Sequence, residues 1–288
     1  MKKPFIDLHT HSTASDGSLT PAEVIQYAKT KDLAAIALTD HDCVDGIETA
    51  LAEGQRHGIE VIPVLEISAE FDRGTMHILG FFVDWKKAFL RTRLEALQEA
   101  RRQRNPKITQ KLQERGLSIT YEEVVAASGG GQVGRPHFAK VLVQKGYVAS
   151  MEEAFEKYLK KGAPGYVEKF RYSPGEAIEM IHQASGVAVL AHPFTLGLKS
   201  NEMEENLMAD LTQTGLDGVE VYYSTNTPQD TTHYLKLCET FGLLPTGGSD
   251  FHGAHKPGIA LGVAKGDLQV SYVILSALRR RSVKTVPD

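Results

Sequence analysis

Six of the eleven histidines in this 288-residue chain fall just past the ends of predicted strands: His9 and His11, His41, His77, His192 and His252. Three carboxylates stand at equivalent positions: Asp16 after the first strand, Glu66 at the end of the third, and Asp250 two residues before His252. Neutral imidazole nitrogens and carboxylate oxygens are ligands for divalent cations such as Zn²⁺, Mn²⁺ and Fe²⁺. In His9-Thr10-His11 a spacing of two puts both rings on one side of an extended chain, and Asp250-Phe251-His252 pairs a carboxylate with an imidazole in the same way. One such pair is equally well a chance neighbour or a hydrogen-bonded surface cluster. Four clusters at four strand ends are another matter, because a core histidine has no reason to prefer one end of a barrel. An open catalytic site typically takes three protein ligands per ion, so nine residues suffice for about three ions if one carboxylate bridges.

These positions need elements that converge on one mouth. Residues 5–65 alternate short apolar runs with helical patterns, a β-α-β-α-β rhythm, and the runs 59–65 and 78–83 have no helix between them and are expected to pair directly. Thr20-Pro21-Ala22-Glu23 and Ser173-Pro174-Gly175-Glu176 are capping boxes with Pro at the first helical position, and Ser150-Met151-Glu152-Glu153 is a third box. From about Lys86 strands give way to charged helical segments for roughly seventy residues, and after this the β/α rhythm returns. The expected organisation is an α/β barrel in two parts, residues 1–98 and 169–288, with a small α-helical insertion over 99–168. Six or seven β/α units fit a closed barrel better than an open sheet.

Composition narrows the function classes. No apolar run approaches the roughly 18 residues of a spanning helix, and Met1-Lys2-Lys3-Pro4 leads into Asp7 and His9 rather than an apolar leader segment, so a cytoplasmic location is expected. Cys43 and Cys238 are too far apart in the chain for a Cys-x-x-Cys site, so any metal relies on His and carboxylates. A net charge of −4 argues against binding long duplex DNA. The basic run Arg91, Arg93, Arg101, Arg102, Arg104 reads as a solvated helix face rather than an RNA track.

His9-Thr10-His11, Ser15-Asp16-Gly17, Thr39-Asp40-His41, Gly80 shortly after His77, Ala191-His192-Pro193 and Gly248-Ser249-Asp250-Phe251-His252 resemble the motifs of the PHP (polymerase and histidinol phosphatase) phosphoesterase superfamily. The middle segment, with Gly134-Arg135-Pro136-His137-Phe138-Ala139 and Phe155-x-x-Tyr158-Leu159-x-x-Gly162-x-x-Gly165-Tyr166-Val167, is similar to the branch that removes the 3′-phosphate of nucleoside 3′,5′-bisphosphates and trims short RNA from its 5′ end. The resemblance implies a distorted (βα)₇ TIM-like barrel holding three divalent ions, Mn²⁺ first, with Zn²⁺ or Fe²⁺ as alternatives. By position, one ion takes His9, His11, Glu66 and Asp250. A second takes Asp16, His41 and His192, and a third takes His77 and His252 and shares Glu66. Asp16, where some members carry His, is a harder ligand and favours Mn²⁺.

The implied reaction is in-line attack by a metal-bridging hydroxide on a phosphate ester, whose transition state spreads charge that clustered cations neutralise. The resemblance further implies that Arg135 and His137 contact the substrate phosphate, against the plainer reading of a surface Arg and a helix-capping His. Asp40 is expected to orient an imidazole or to carry a proton to the leaving group. Competing readings are a histidinol-phosphate phosphatase, a deacylase on a similar His-rich barrel, and a metal-dependent nucleotide sensor without catalysis. The insertion argues against the first, the lack of a barrel lysine or altered ligand pattern against the second, and the complete ligand set against the third.

Overall fold

Aliphatic runs with no exposed residue, such as Ala35–Leu38 and Val187–Leu190, must be covered on both faces: Ala35, Ala37, Val187 and Val189 pack with Ile6, Ile62, Val64 and Leu79 of other strands, and Ile36 and Leu38 pack against helical Val24, Ile25 and Ala28. The computed structural model describes residues 5–284; Met1–Pro4, read above for a leader, lie outside the described residues. Eight strands form one sheet: β1 (Phe5–Asp7), β2 (Ala35–Leu38), β3 (Glu60–Ala69), β4 (Met76–Phe81), β5 (Val187–Leu190), β6 (Gly218–Tyr223), β7 (Leu244–Gly248) and β8 (Val270–Ser271). Their order is β7-β6-β5-β4-β3-β2-β1-β8. The expected distorted α/β barrel is present, with one short strand, β8, added antiparallel to β1.

The distortion sits at β4. It pairs with β3 and β5 antiparallel, while the β1–β2–β3 and β5–β6–β7 pairs are parallel. The direct pairing expected for the 59–65 and 78–83 runs is therefore an antiparallel hairpin, and the start of β4, not its end, faces the mouth. The chain beyond β1 closes the barrel: Leu8 N donates to Gly247 O at 3.3 Å, Asp250 N to His9 O at 2.9 Å, and His11 N to Phe251 O at 2.8 Å.

Helices α1 (Pro21–Thr30) and α2 (Ile47–His57) follow β1 and β2. The Thr20–Glu23 box closes in both directions at α1. The helical stretch begins with α3 (Ala88–Gln113), followed by α4 (Tyr121–Ala127), α5 (Arg135–Gln144) and α6 (Met151–Ala154), which runs on into a π turn over Phe155–Leu159. Leu90, Leu94 and Leu97 of α3 pack into the barrel core, whereas its Ile108 and Leu112 pack with Val124, Phe138, Leu142 and Leu159 in a separate cluster. One uninterrupted helix thus belongs to both bodies. Helices α7 (Pro174–Gln183), α8 (Asn201–Gln213), α9 (Pro228–Phe241) and α10 (Tyr272–Lys284) complete the barrel's cover. At Ser150 the box is incomplete, since the Glu153 carboxylate takes the amide of Ala149 instead. Among the described residues no helix is long and apolar enough to cross a membrane.

Gly248 lies so close to the closing strand that an added Cβ would stand 2.4 Å from the Cβ and amide N of His9. Gly248→Ala should therefore cost about 1–3 kcal/mol of stability in urea unfolding. An unchanged midpoint would mean the seam can open without penalty.

Candidate metal centre

The extension of β1 carries His9 and His11, and the loop beyond it Asp16. His41 follows β2, Glu66 lies in β3, His77 near the start of β4, His192 beyond β5, and Asp250 and His252 beyond β7. All nine predicted residues gather at one mouth, and His9, His11 and Glu66 have no exposed surface. Glu66 is the hub. Its Oε2 lies 3.2 Å from His11 Nε2, 3.3 Å from His9 Nε2 and 3.0 Å from His41 Nδ1, and its Oε1 lies 2.8 Å from His77 Nδ1 and 2.9 Å from His192 Nε2. Asp250 Oδ1 stands 3.3 Å from His11 Nε2 and 3.6 Å from His9 Nε2. Asp16 stands 3.4 Å from His252 Nε2 and 3.8 Å from His41 Nε2.

This geometry corrects the grouping implied by resemblance. His192 joins His77 on Glu66, and His252 joins His41 on Asp16; the two histidines change places. The cause is strand order. His192 follows β5, the neighbour of β4, while His252 follows the strand beside the β1 extension.

The donor set fits divalent cations. His9 Nε2 and His11 Nε2 face each other at 3.2 Å with carboxylate oxygens around them, and buried His11 Nδ1 has no hydrogen-bond partner. A proton satisfies one such pair of lone pairs; a cation satisfies the whole group. At His11 burial opposes charging but Asp250 and Glu66 outweigh it, pushing the ring up to about 10. Burial wins at His77, which is held down to about 3. Glu66 and Asp16, despite burial, are held well below the usual carboxylate range by the imidazoles, His41 foremost.

Residues outside the predicted set hold these ligands. Glu220 of β6 places Oε1 2.9 Å from His9 Nδ1 and accepts the backbone N–H of His192 on Oε2 at 2.8 Å. That contact steadies a backbone at φ 26°, a left-handed setting that costs a non-glycine residue about 1–3 kcal/mol. Asp250, at φ 56°, accepts from Tyr223 Oη at 2.7 Å and Lys256 Nζ at 2.5 Å. Asp7 ties β1 to the 248–252 segment by accepting from Ser249 N at 2.9 Å and Ser249 Oγ at 2.6 Å. Asp40 requires a correction: its carboxylate accepts from Ser12 N, Ser12 Oγ and Ser15 Oγ at 2.7–2.8 Å and has no hydrogen bond to an imidazole. It fixes the loop that delivers Asp16.

A cavity of about 560 Å³ joins this cluster to the helical segment. It is lined by Asp16, His41, His77, His192, Asp250 and His252 and also by Arg101, Arg104, Arg135, Lys169 and Arg171. Arg101 and Arg104 overturn the reading of a solvated basic face, being 9% and 4% exposed, whereas Arg102 of the same run is exposed. Arg101 and Lys169 share Asp42, Nη2 at 2.5 Å and Nζ at 3.2 Å. Among the described residues the hydrogen bonds of Arg104 go to the neutral Asn105 Oδ1, at 2.8 Å for Nη2, and burial together with Arg101, Arg135 and Arg171, against the opposing pull of Asp42, pushes its guanidinium well below its ordinary range. Arg135 donates to Leu159 O at 3.1 Å and lies against the rings of Phe155 and Tyr166; burial lowers it to about 10. His137 is fully buried and does not line the cavity; its Nδ1 accepts from Gly134 N at 2.9 Å, the helix-capping role set aside on the sequence. His255, unassigned from sequence, lines the cavity with Nδ1 2.9 Å from Asp16 O.

A barrel mouth of clustered imidazoles and carboxylates facing buried cations defines a metal-dependent hydrolase of phosphate esters. The PHP domain matches residues 7–169. The chain is 35% identical over 258 residues to a 3′,5′-nucleoside bisphosphate phosphatase of Chromobacterium violaceum, covering 89% of this chain and 90% of that protein. It is 35% identical over 248 residues to a 5′-3′ exoribonuclease of Salmonella typhimurium, covering 85% and 84%. A crystal structure described as a putative metal-dependent phosphoesterase of Bifidobacterium adolescentis is 28% identical and superposes with a TM-score of 0.85, covering 96% of each chain. The chain belongs to the PHP domain family.

Two buried carboxylates test this account of the site. Glu220→Gln should weaken divalent-ion binding about 10- to 100-fold in titration calorimetry, and unaltered affinity would remove Glu220 from the support of His9. Asp42 titrates well below the ordinary aspartate value because, against the cost of burial, Lys169 and Arg101 hold it charged. A depressed folded value means its stabilisation is present above the unfolded pKa and is lost as pH falls toward the folded one. Asp42→Asn should thus cost about 3–5 kcal/mol at pH 7, with the gap to the parent narrowing below about pH 4; a gap that is constant with pH would refute the ion-pair origin.

Proposed function

We propose that the chain hydrolyses the 3′-phosphate of nucleoside 3′,5′-bisphosphates. The observation that carries this reading is the single cavity lined both by metal-ligating groups and by Arg104, whose hydrogen bonds go to the neutral Asn105. Such a space suits a substrate with two anionic groups, one reacting and one held. In this reading the 3′-phosphate enters the mouth, and the 5′-phosphate rests on Arg104, Arg135 and Arg171. The arginines are desolvated and repel one another, and Asp42 offsets that only in part at Arg104, so an anion between them would relieve the remainder.

Three divalent ions, Mn²⁺ by preference, would be held by His9, His11 and Asp250, by Glu66 with His77 and His192, whose nitrogens meet its Oε1 and lie 3.3 Å apart, and by Asp16, His41 and His252. Bound there, they would neutralise charge on the phosphate oxygens and make water a competent nucleophile near neutral pH. The chain's own part is placement. Glu220 and Asp250's partners fix the ligands, the barrel portions 1–98 and 169–288 supply them, and the 99–168 insertion supplies Arg101, Arg104 and Arg135. His137 holds the turn at the start of α5, where Arg135 sits. A short 5′-phosphorylated RNA fits the same reading, its 5′ end on the arginines and its first internucleotide phosphate at the mouth. The name of the Salmonella typhimurium relative favours including it.

The test is phosphate release from adenosine 3′,5′-bisphosphate, with histidinol phosphate and a 5′-phosphorylated trinucleotide in parallel. Activity should vanish on chelation and return with Mn²⁺, and the bisphosphate should be preferred to histidinol phosphate. Arg135→Ala should raise KM about tenfold or more while leaving bound metal unchanged. Full turnover by metal-stripped protein, or preference for histidinol phosphate, would overturn the reading.

A further inference from the structure

The cationic wall of the catalytic cavity has a second side. Arg135, Lys169 and Arg171 also line a neighbouring cavity of about 690 Å³, bounded by the 69–75 loop of the barrel and by residues of the 155–171 segment. Thr75, Phe155 and Thr195 are shared as well, so the two spaces adjoin along this set of residues.

That second space is built for more than solvent. Lys161 reaches across it from the helical segment to donate to Asp72 O at 2.9 Å, a neutral acceptor that leaves two ammonium protons for another partner. Phe170, 52% exposed, stands on its wall against Tyr172 at 4.9 Å. Six cationic and four acidic side chains line it, and the acidic Glu168 is paired with Arg171. An anion of modest charge fits this balance better than a long polyanion.

We propose that the second cavity receives a further phosphate joined to the substrate's 5′-phosphate, so that nucleoside 3′-phosphates bearing a 5′-diphosphate are also substrates. This rests on the reading that the 5′-phosphate sits on Arg135. The outer phosphate passes the shared wall to Lys161, while the chemistry stays at the 3′ end. There water adds to phosphorus, the bond from phosphorus to the 3′-oxygen breaks, that oxygen takes a proton, and orthophosphate leaves. The 5′ anhydride is untouched.

The experiment compares kcat/KM for adenosine 3′,5′-bisphosphate and for adenosine 3′-phosphate 5′-diphosphate in the Mn²⁺-loaded enzyme, for the parent, Lys161→Met and Lys160→Met. The parent should hydrolyse both within about tenfold of each other, and Lys161→Met should lose about tenfold or more on the 5′-diphosphate alone. Lys160, already paired with Glu156 on the same rim, serves as the control and should leave both substrates nearly unchanged, while the activity of Lys161→Met on the bisphosphate reports whether the 69–75 loop has loosened. Exclusion of the 5′-diphosphate by an enzyme active on the bisphosphate, or equal losses on both substrates, would overturn this inference alone. Failure to hydrolyse the bisphosphate at all would instead overturn the reading on which it rests.

Discussion

Five imidazoles converge on the two oxygens of Glu66, a carboxylate with no exposed surface. A buried charge persists only when it is paired and hydrogen-bonded, and so many nitrogens cannot all be satisfied by one carboxylate and its protons. The arrangement is thus unfavourable as a piece of protein core and favourable as a cage for cations. Everything around it works against the tendency of such a cluster to spread apart. Asp7, Asp40, Asp42 and Glu220, all buried, each accept backbone N–H groups on or beside the loops that carry ligands.

Barrel closure and ligand placement are the same physical event. The hydrogen bonds that join the β1 extension to the segment after β7 run between His9, His11, Asp250 and Phe251, so the seam of the barrel is made by the segments that carry these candidate ligands. This explains why Gly248 has no room for a side chain. It also makes ligand geometry depend on the whole sheet rather than on local loops, as a site requiring sub-ångström placement demands.

The elements that carry a local signal were legible in the sequence. His-x-His, Asp-x-His and the capping box at Thr20 declare themselves by spacing, and the nine residues expected as ligands do gather at one mouth. What local signals lack is direction and depth. Nothing in the run 76–81 reveals that it enters the sheet antiparallel, so His77 seemed to follow a strand end when it stands near a strand start, and the division of His192 and His252 between neighbours went astray. Arg101 and Arg104 looked like part of a solvated face because helical charge runs usually are. Their burial depends on Asp42 and on a cavity that exists only after the helical segment folds over the mouth. Asp40 failed for the converse reason: adjacency to His41 suggested contact, but Ser12 and Ser15, distant in sequence, claim both its oxygens.

Helix α3 determines how far the cationic wall stands from the metal-ligating mouth. Its first half is packed in the barrel core by Leu90, Leu94 and Leu97, its second half in the helical cluster by Ile108 and Leu112, and Arg101 and Arg104 lie between these anchors. The Arg101–Asp42 pair then fastens the middle of the helix to the strand-end loop beside His41. Pro106 lies inside this helix between the two anchors and removes one ladder hydrogen bond there, so the packing of both halves and the Arg101–Asp42 pair, rather than helix stiffness, hold the arginines in place. In the proposed reading the substrate carries two charged groups, and a lone phosphate would engage either the imidazole and carboxylate cluster or the arginines but not both. On this argument specificity belongs to the span rather than to either wall, and shifting α3 by one turn would disturb recognition even with every ligand left in place.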